Sequence, residues 1–244
     1  MDGITAKSNK NFTSRCAQVR DAKWVCQKVH SYSHISPSRI NRTLERMSEP
    51  YIDTFQNPYA PLPPKAYGLF NLLGWRDNLV EKINTARRAL RFSYLDDYKR
   101  TNKVISQLKD TKLGNCGEDA YLSGAILKMN GVKDACTTKL TIKGHIIDHG
   151  VCVFNRDGSA FNGKANKNTI IIDPWVGDAD FASNMFVKYK GIYNQQVDKA
   201  IQPDSKIEFW DTKHIDLTDK EKTALLQEHP ELKFNNSKRE FMQK

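Results

Sequence analysis

LGNCGEDAYLSGAILKMNG, from Leu113 to Gly131, is the stretch around which the rest of the chain organises. Gly114 and Gly117 flank Cys116, and Ala120, Leu122, Ile126, Leu127 and Met129 then recur with helical spacing up to Asn130 and Gly131, residues suited to a helix C-terminus. The glycines allow unusual backbone angles and close approach on both sides of the thiol. Cys116 is therefore expected near a helix N-terminus. There the dipole and the unpaired N–H groups favour thiolate over thiol, and the same N–H groups can bind the oxyanion formed when a thiolate attacks a carbonyl. A cysteine used only for packing needs no such setting. Glu118 and Asp119 fall in the first turn, where acids favour the dipole although they oppose a thiolate, and they are read as helix-start residues.

A thiolate nucleophile works best with a base, and the base with an acceptor that orients it. DHGVCVF places His149 at the mouth of an apolar strand, 33 residues after Cys116, and IIIDPW places Asp173 at the end of another, 24 residues later. If those strands pair antiparallel, His149 and Asp173 lie at the same edge of the sheet. Pro174 holds Asp173 extended, and Trp175 is placed to keep water from the imidazole. His145 is the competing base, but the apolar strand begins directly after His149. Cys136 and Cys152 read as buried packing thiols, with Cys152 on the strand face opposite His149.

GNCGE, HGVCVF and DPW together resemble the Cys, His and Asp blocks of papain-like and transglutaminase-like bacterial effectors and toxins, a group that includes protein glutamine deamidases and cysteine proteases. The resemblance covers roughly residues 112 to 176. It implies Cys116 as nucleophile, His149 as base and Asp173 as orienting residue. It also implies a papain-like or transglutaminase-like core in which a central helix carrying the cysteine lies against an antiparallel sheet. Papain has a glutamine six residues before its cysteine as an oxyanion donor; Asp110 occupies that place here, and neither Gln107 nor Asn115 matches it.

Charge and composition set the remaining bounds. The chain has 244 residues and a net charge of +10. Residues 1–112 hold 20 Lys and Arg against 10 Asp and Glu, whereas residues 113–244 hold 18 of each, so the excess lies wholly in the first half. Ten arginines (15, 20, 39, 42, 46, 76, 87, 88, 91 and 100) stand there, and their guanidinium forks suit carboxylate or phosphate partners. No zinc-finger, helix-turn-helix or RNP pattern accompanies them, so nucleic acid is not the expected partner. No apolar run is long enough to span a membrane, and the polar start, MDGITAKSNKNFTSR, has no Sec-type signal. Five widely spaced cysteines suggest reduced thiols rather than a disulfide framework. Cys26, His30 and His34 recur every four residues, but a fourth ligand is not in sight, so no metal or other cofactor is expected.

Periodicity predicts helix over residues 16–47, broken near Pro37, and again through 78–108, where Leu79, Val80, Ile83, Ala86, Leu90 and Tyr94 form one stripe. Between them SEPYIDTFQNPYAPLPP, Ser48–Pro64, is a proline-rich connector. Strands are expected at 136–142, 149–154, 168–175 and 206–210, with a turn at 155–158. Thr218 and Glu221 have capping-box spacing before a last helix. The fold class is α+β: a basic helical region and connector at 1–64, then a catalytic domain at 65–244 with a helical part (65–112), a Cys-His-Asp core (113–210) and a C-terminal helix (211–244). The expected function is thiol-dependent acyl transfer on a carboxamide of a host protein, by glutamine deamidation or transglutamination. A cysteine protease with the same triad and a non-catalytic adaptor docking through the basic half are the alternatives. The resemblance further implies secretion by a non-Sec route into host cytoplasm, or else residence in the bacterial cytoplasm.

Overall fold

The computed structural model describes residues 5–33, 81, 96–112, 114–142, 145–194 and 207–234. The connector at 48–64, the stripe Leu79–Tyr94, His34 and all the early arginines except Arg15, Arg20 and Arg100 lie outside them. Helix α1 spans Thr5–Tyr32, α2 Asp97–Thr111 and α3 Cys116–Met129. Asp96 caps α2 in an extended conformation (φ −54°, ψ 160°), its carboxylate accepting from the Lys99 N–H at 2.8 Å. A new helix therefore starts at residue 97, and the expected run through 78–108 is not one continuous helix.

Helix α3 is the centre of the molecule. The Asn115 N–H donates to Glu118 Oε2 at 3.1 Å, and Gly131 closes the other end at φ +87°. Residues Leu122 to Leu127 are all buried, so the helix has no solvent face along that stretch. It is enclosed by α1, α2, the sheet and α5, Asp219–Glu228.

The sheet has five strands in the order β4-β3-β2-β1-β5, every pairing antiparallel: β1 Cys136–Ile142, β2 His145–Asn155, β3 Thr169–Asp173, β4 Asp178–Phe181 and β5 Ile207–His214. Strand alternation splits the apolar residues into two clusters. Cys152, Phe154, Ile170, Ile172 and Ala179 join the helical side with Val25, Val29, Ile105, Leu108 and Ile126. Val151, Val153, Leu140 and Ile171 face the other way, onto Phe161 and onto Met185 and Tyr189 of α4, Ala182–Asn194. The architecture is α+β. Cys152 lies on the face opposite Val151 and Val153, as alternation requires.

Three features differ from the sequence reading. Strand β2 begins at His145, so His149 sits within the strand and not at its mouth. Strand β4 and helix α4 follow residue 175, where the sequence reading names no element. Helix α1 begins at Thr5, and its Ala22, Val25, Cys26 and Val29 are part of the same core as α3. Among the described residues no helix is long and apolar enough to cross a membrane.

Candidate active site

Cys116 is the first residue of α3 and is half-buried. The first-turn N–H groups of a helix have no partner within it, and Cys116 and Gly117 are the first two residues of that turn. The local glycines serve close approach and not unusual angles: Gly117 is helical, and Gly114 is absent from the positive-φ positions. A Cβ on Gly114 would stand 2.7 Å from Ser33 Cβ and 2.9 Å from Leu108 Cδ2, so the ends of α1, α2 and the start of α3 converge on a position that admits no side chain.

Gly150 performs the same service from the sheet. A Cβ there would lie 3.3 Å from the Cys116 carbonyl oxygen and 3.4 Å from the Gly117 Cα. Strand β2 can thus run directly beneath the helix start. Gly150→Ala is expected to push the two apart by a few tenths of an ångström and lower turnover about tenfold, since displacements of about 1 Å at reacting groups can cost about a hundredfold. Steady-state rates set beside thermal unfolding check this, with the melting temperature changing little.

The antiparallel register explains why His149 and Asp173 meet. Cys152 pairs with Ile172, so Asp173, the last residue of β3, falls opposite Val151, and His149 stands two residues further along the same face of β2. Both side chains are buried, His149 at 4% exposure and Asp173 at none. The His149 Nε2–H donates to Asp173 Oδ2 at 2.7 Å. The Tyr189 hydroxyl donates to the same oxygen at 2.8 Å, and the Val176 N–H to Oδ1 at 3.1 Å. Gly177, at φ +82°, closes the turn by donating to the Asp173 carbonyl at 2.9 Å. Trp175 tilts against the imidazole, ring centroids 4.9 Å apart, and is itself buried.

With Nε2 committed to Asp173, Nδ1 is the ring nitrogen left for Cys116, whose side chain also hydrogen-bonds His149. Burial works against a charged imidazole. The Asp173 carboxylate, its hydrogen bond and the Cys116 side chain outweigh it and raise the His149 pKa to about 10. The structure therefore brings Cys116, His149 and Asp173 together at one corner. His145 lies four residues along β2, about 13 Å away at strand spacing.

The buried cysteines are poor nucleophiles by contrast. Cys26, Cys136 and Cys152 are buried, and burial pushes the Cys136 thiol up to about 12 and that of Cys152 well above its ordinary value. Iodoacetamide at pH 6 is expected to label Cys116 at least tenfold faster than any of these, read by peptide mass spectrometry. Equal labelling would remove Cys116 as an activated thiol.

Helix α1 supplies contacts that the sequence did not disclose. His30 Nδ1–H donates to the Pro174 carbonyl at 3.1 Å, beside Asp173 and Trp175, and Ser33 Oγ donates to the Asp119 carboxylate. Asp119 is thus a buried tie between α1 and α3, and Glu118 closes the helix start, while Asp110 is exposed on α2. Of the Cys26–His30–His34 stripe, Cys26 lies in the core and His30 serves Pro174. Among the described residues no group of three or more His, Cys, Asp or Glu could hold a metal ion. Tyr189 had no signal in the sequence, because only the packing of α4 against β3 gives it a partner. No protein family, no curated protein and no solved structure matches the chain.

Proposed function

We propose that the protein is a thiol-dependent acyl-transfer enzyme of papain-like or transglutaminase-like type, acting on a carboxamide of a host protein through Cys116, His149 and Asp173. One observation carries this reading. A buried imidazole gives one nitrogen to a fully hydrogen-bonded carboxylate and keeps the other for a half-exposed thiol at the start of a helix.

In the first step Cys116 Sγ attacks the carboxamide carbon as its proton resides on His149 Nδ1, and the first-turn N–H groups of α3 receive the oxyanion. His149 then returns the proton to the leaving nitrogen, ammonia departs from a glutamine side chain, and a thioester remains. Water, deprotonated by His149, attacks the thioester to give glutamate and free Cys116. Asp173 keeps Nε2 protonated and the ring oriented throughout. Trp175 and Tyr189 keep the His149–Asp173 pair dry. The preference for glutamine, and the assignment to a bacterial effector delivered by a non-Sec route, rest on the resemblance of GNCGE, HGVCVF and DPW.

Intact-mass analysis of proteins in a host-cell lysate tests the reaction, with iodoacetamide-treated protein as control. A gain of about one dalton with ammonia release is the expected result. Cleavage would make the enzyme a protease, cross-linked products a transglutaminase. No change in any protein, from material whose Cys116 is unreactive, would leave the adaptor.

A further inference from the structure

A cavity of about 1120 Å³ opens at the far end of the sheet from Cys116. Asp173 ends β3 at the candidate active site. The cavity instead gathers what precedes Thr169 at the other end of that strand, about 13 Å away along it. Its floor is apolar, formed by Val19, Ala165, Phe181, Ala182 and Phe186. Around that floor stand four cations from three separate segments: Arg20 and Lys23 of α1, Arg156 just after β2, and Lys167 just before β3. Among the described residues no carboxylate lines it.

Small-molecule sites characteristically combine an apolar lining with a few placed polar groups. Here every charged group among the described lining residues has the same sign, which selects an anion and disfavours a cationic ligand. Four cations match a phosphate monoester, with its charge of about −1.5 to −2 and three acceptor oxygens, better than a single carboxylate. The apolar floor would be wasted on inorganic phosphate, because burying hydrocarbon is what it rewards. We propose that this cavity binds an organic phosphate, its phosphate among Arg20, Lys23, Arg156 and Lys167 and its apolar body over Phe181 and Phe186. Arg156 also borders a smaller cavity that contains Asp21, Asp134 and Asp157, and it stacks on Phe181 at 5.6 Å. The exposed Lys23 and Lys167 are therefore the cleaner residues to change.

Calorimetric titration of the full-length protein tests the proposal with phenyl phosphate, inorganic phosphate, and phosphatidylcholine vesicles with and without phosphatidate. Phenyl phosphate is expected to bind at least tenfold more tightly than inorganic phosphate. The double variant Lys23→Glu, Lys167→Glu should weaken it at least tenfold while circular dichroism stays unchanged. Binding to phosphatidate vesicles alone, lost in the same variant, identifies the organic phosphate as a lipid headgroup. No binding of phenyl phosphate, inorganic phosphate or phosphatidate vesicles, equal affinity for phenyl and inorganic phosphate, or binding that survives the double variant each overturns the site. The active-site reading is untouched by any of these outcomes, since none of the four cations belongs to it.

Discussion

Cys116→Ala abolishes turnover, and His149→Ala lowers it on the order of a thousandfold or more, whereas His145→Ala leaves it within a few-fold of the parent. The reason is geometric: the His149 ring alone bridges the thiol and the buried carboxylate. Groups that act as one unit are not additive, so the Cys116→Ala, His149→Ala double variant is expected to be hardly worse than Cys116→Ala alone. Rates of ammonia release for the four variants, with circular dichroism to confirm folding, make the measurement. A dead His145→Ala beside an active His149→Ala would transfer the base to the other histidine.

Asp173→Asn is expected to cost about a hundredfold to ten-thousandfold in turnover and about 3 kcal/mol in stability. It leaves a base that is badly oriented and a buried network that has lost its charge. Tyr189→Phe, which removes one of three bonds to the same carboxylate, should cost less on both counts. The two variants also separate by pH. His149 has a folded pKa raised to about 10, against about 6.5 for an unfolded histidine, so between these values the folded protein binds more protons than the unfolded chain. The stabilisation is fully present below about pH 6.5 and is lost as pH rises through 10. Without the carboxylate, burial is left to oppose the imidazolium, and Asp173→Asn should flatten this slope. Urea unfolding at a series of pH values measures it, and an unaltered slope would detach His149 from Asp173.

Much of the corner was legible because its causes are local. A glycine-flanked cysteine before an apolar run, with Glu118 and Asp119 in the first turn, marks the start of α3. CTTKLTI is β1 from end to end, and Thr218 with Glu221 forms the expected capping box. The meeting of His149 and Asp173 needed only antiparallel pairing of two apolar runs. What was hidden depends on tertiary partners. In β4, DADF alternates acid and apolar residues over only four positions, and aspartate is depleted in strands; its pairing with β3 makes it a strand. The strand start at His145 is set by β1, which continues to Ile142 and pairs with it. Tyr189 is an ordinary helical tyrosine until α4 folds onto β3, and Asp119 reads as a dipole acid until Ser33 arrives from 86 residues away.

The two ties from α1 bear on how little of this chain could be kept. His30 grips the turn after Asp173, 144 residues downstream, and Ser33 grips the helix that carries the thiol. A fragment beginning after residue 33 would retain all three reacting side chains yet lose the wall behind Pro174. It would also expose the core surface that Val25 and Val29 cover. Excision of the Cys-His-Asp segment as a minimal enzyme should therefore fail. A synthetic peptide of residues 5–33 supplied to such a fragment would have a ready-made groove to refill, making the site a natural subject for split-protein complementation.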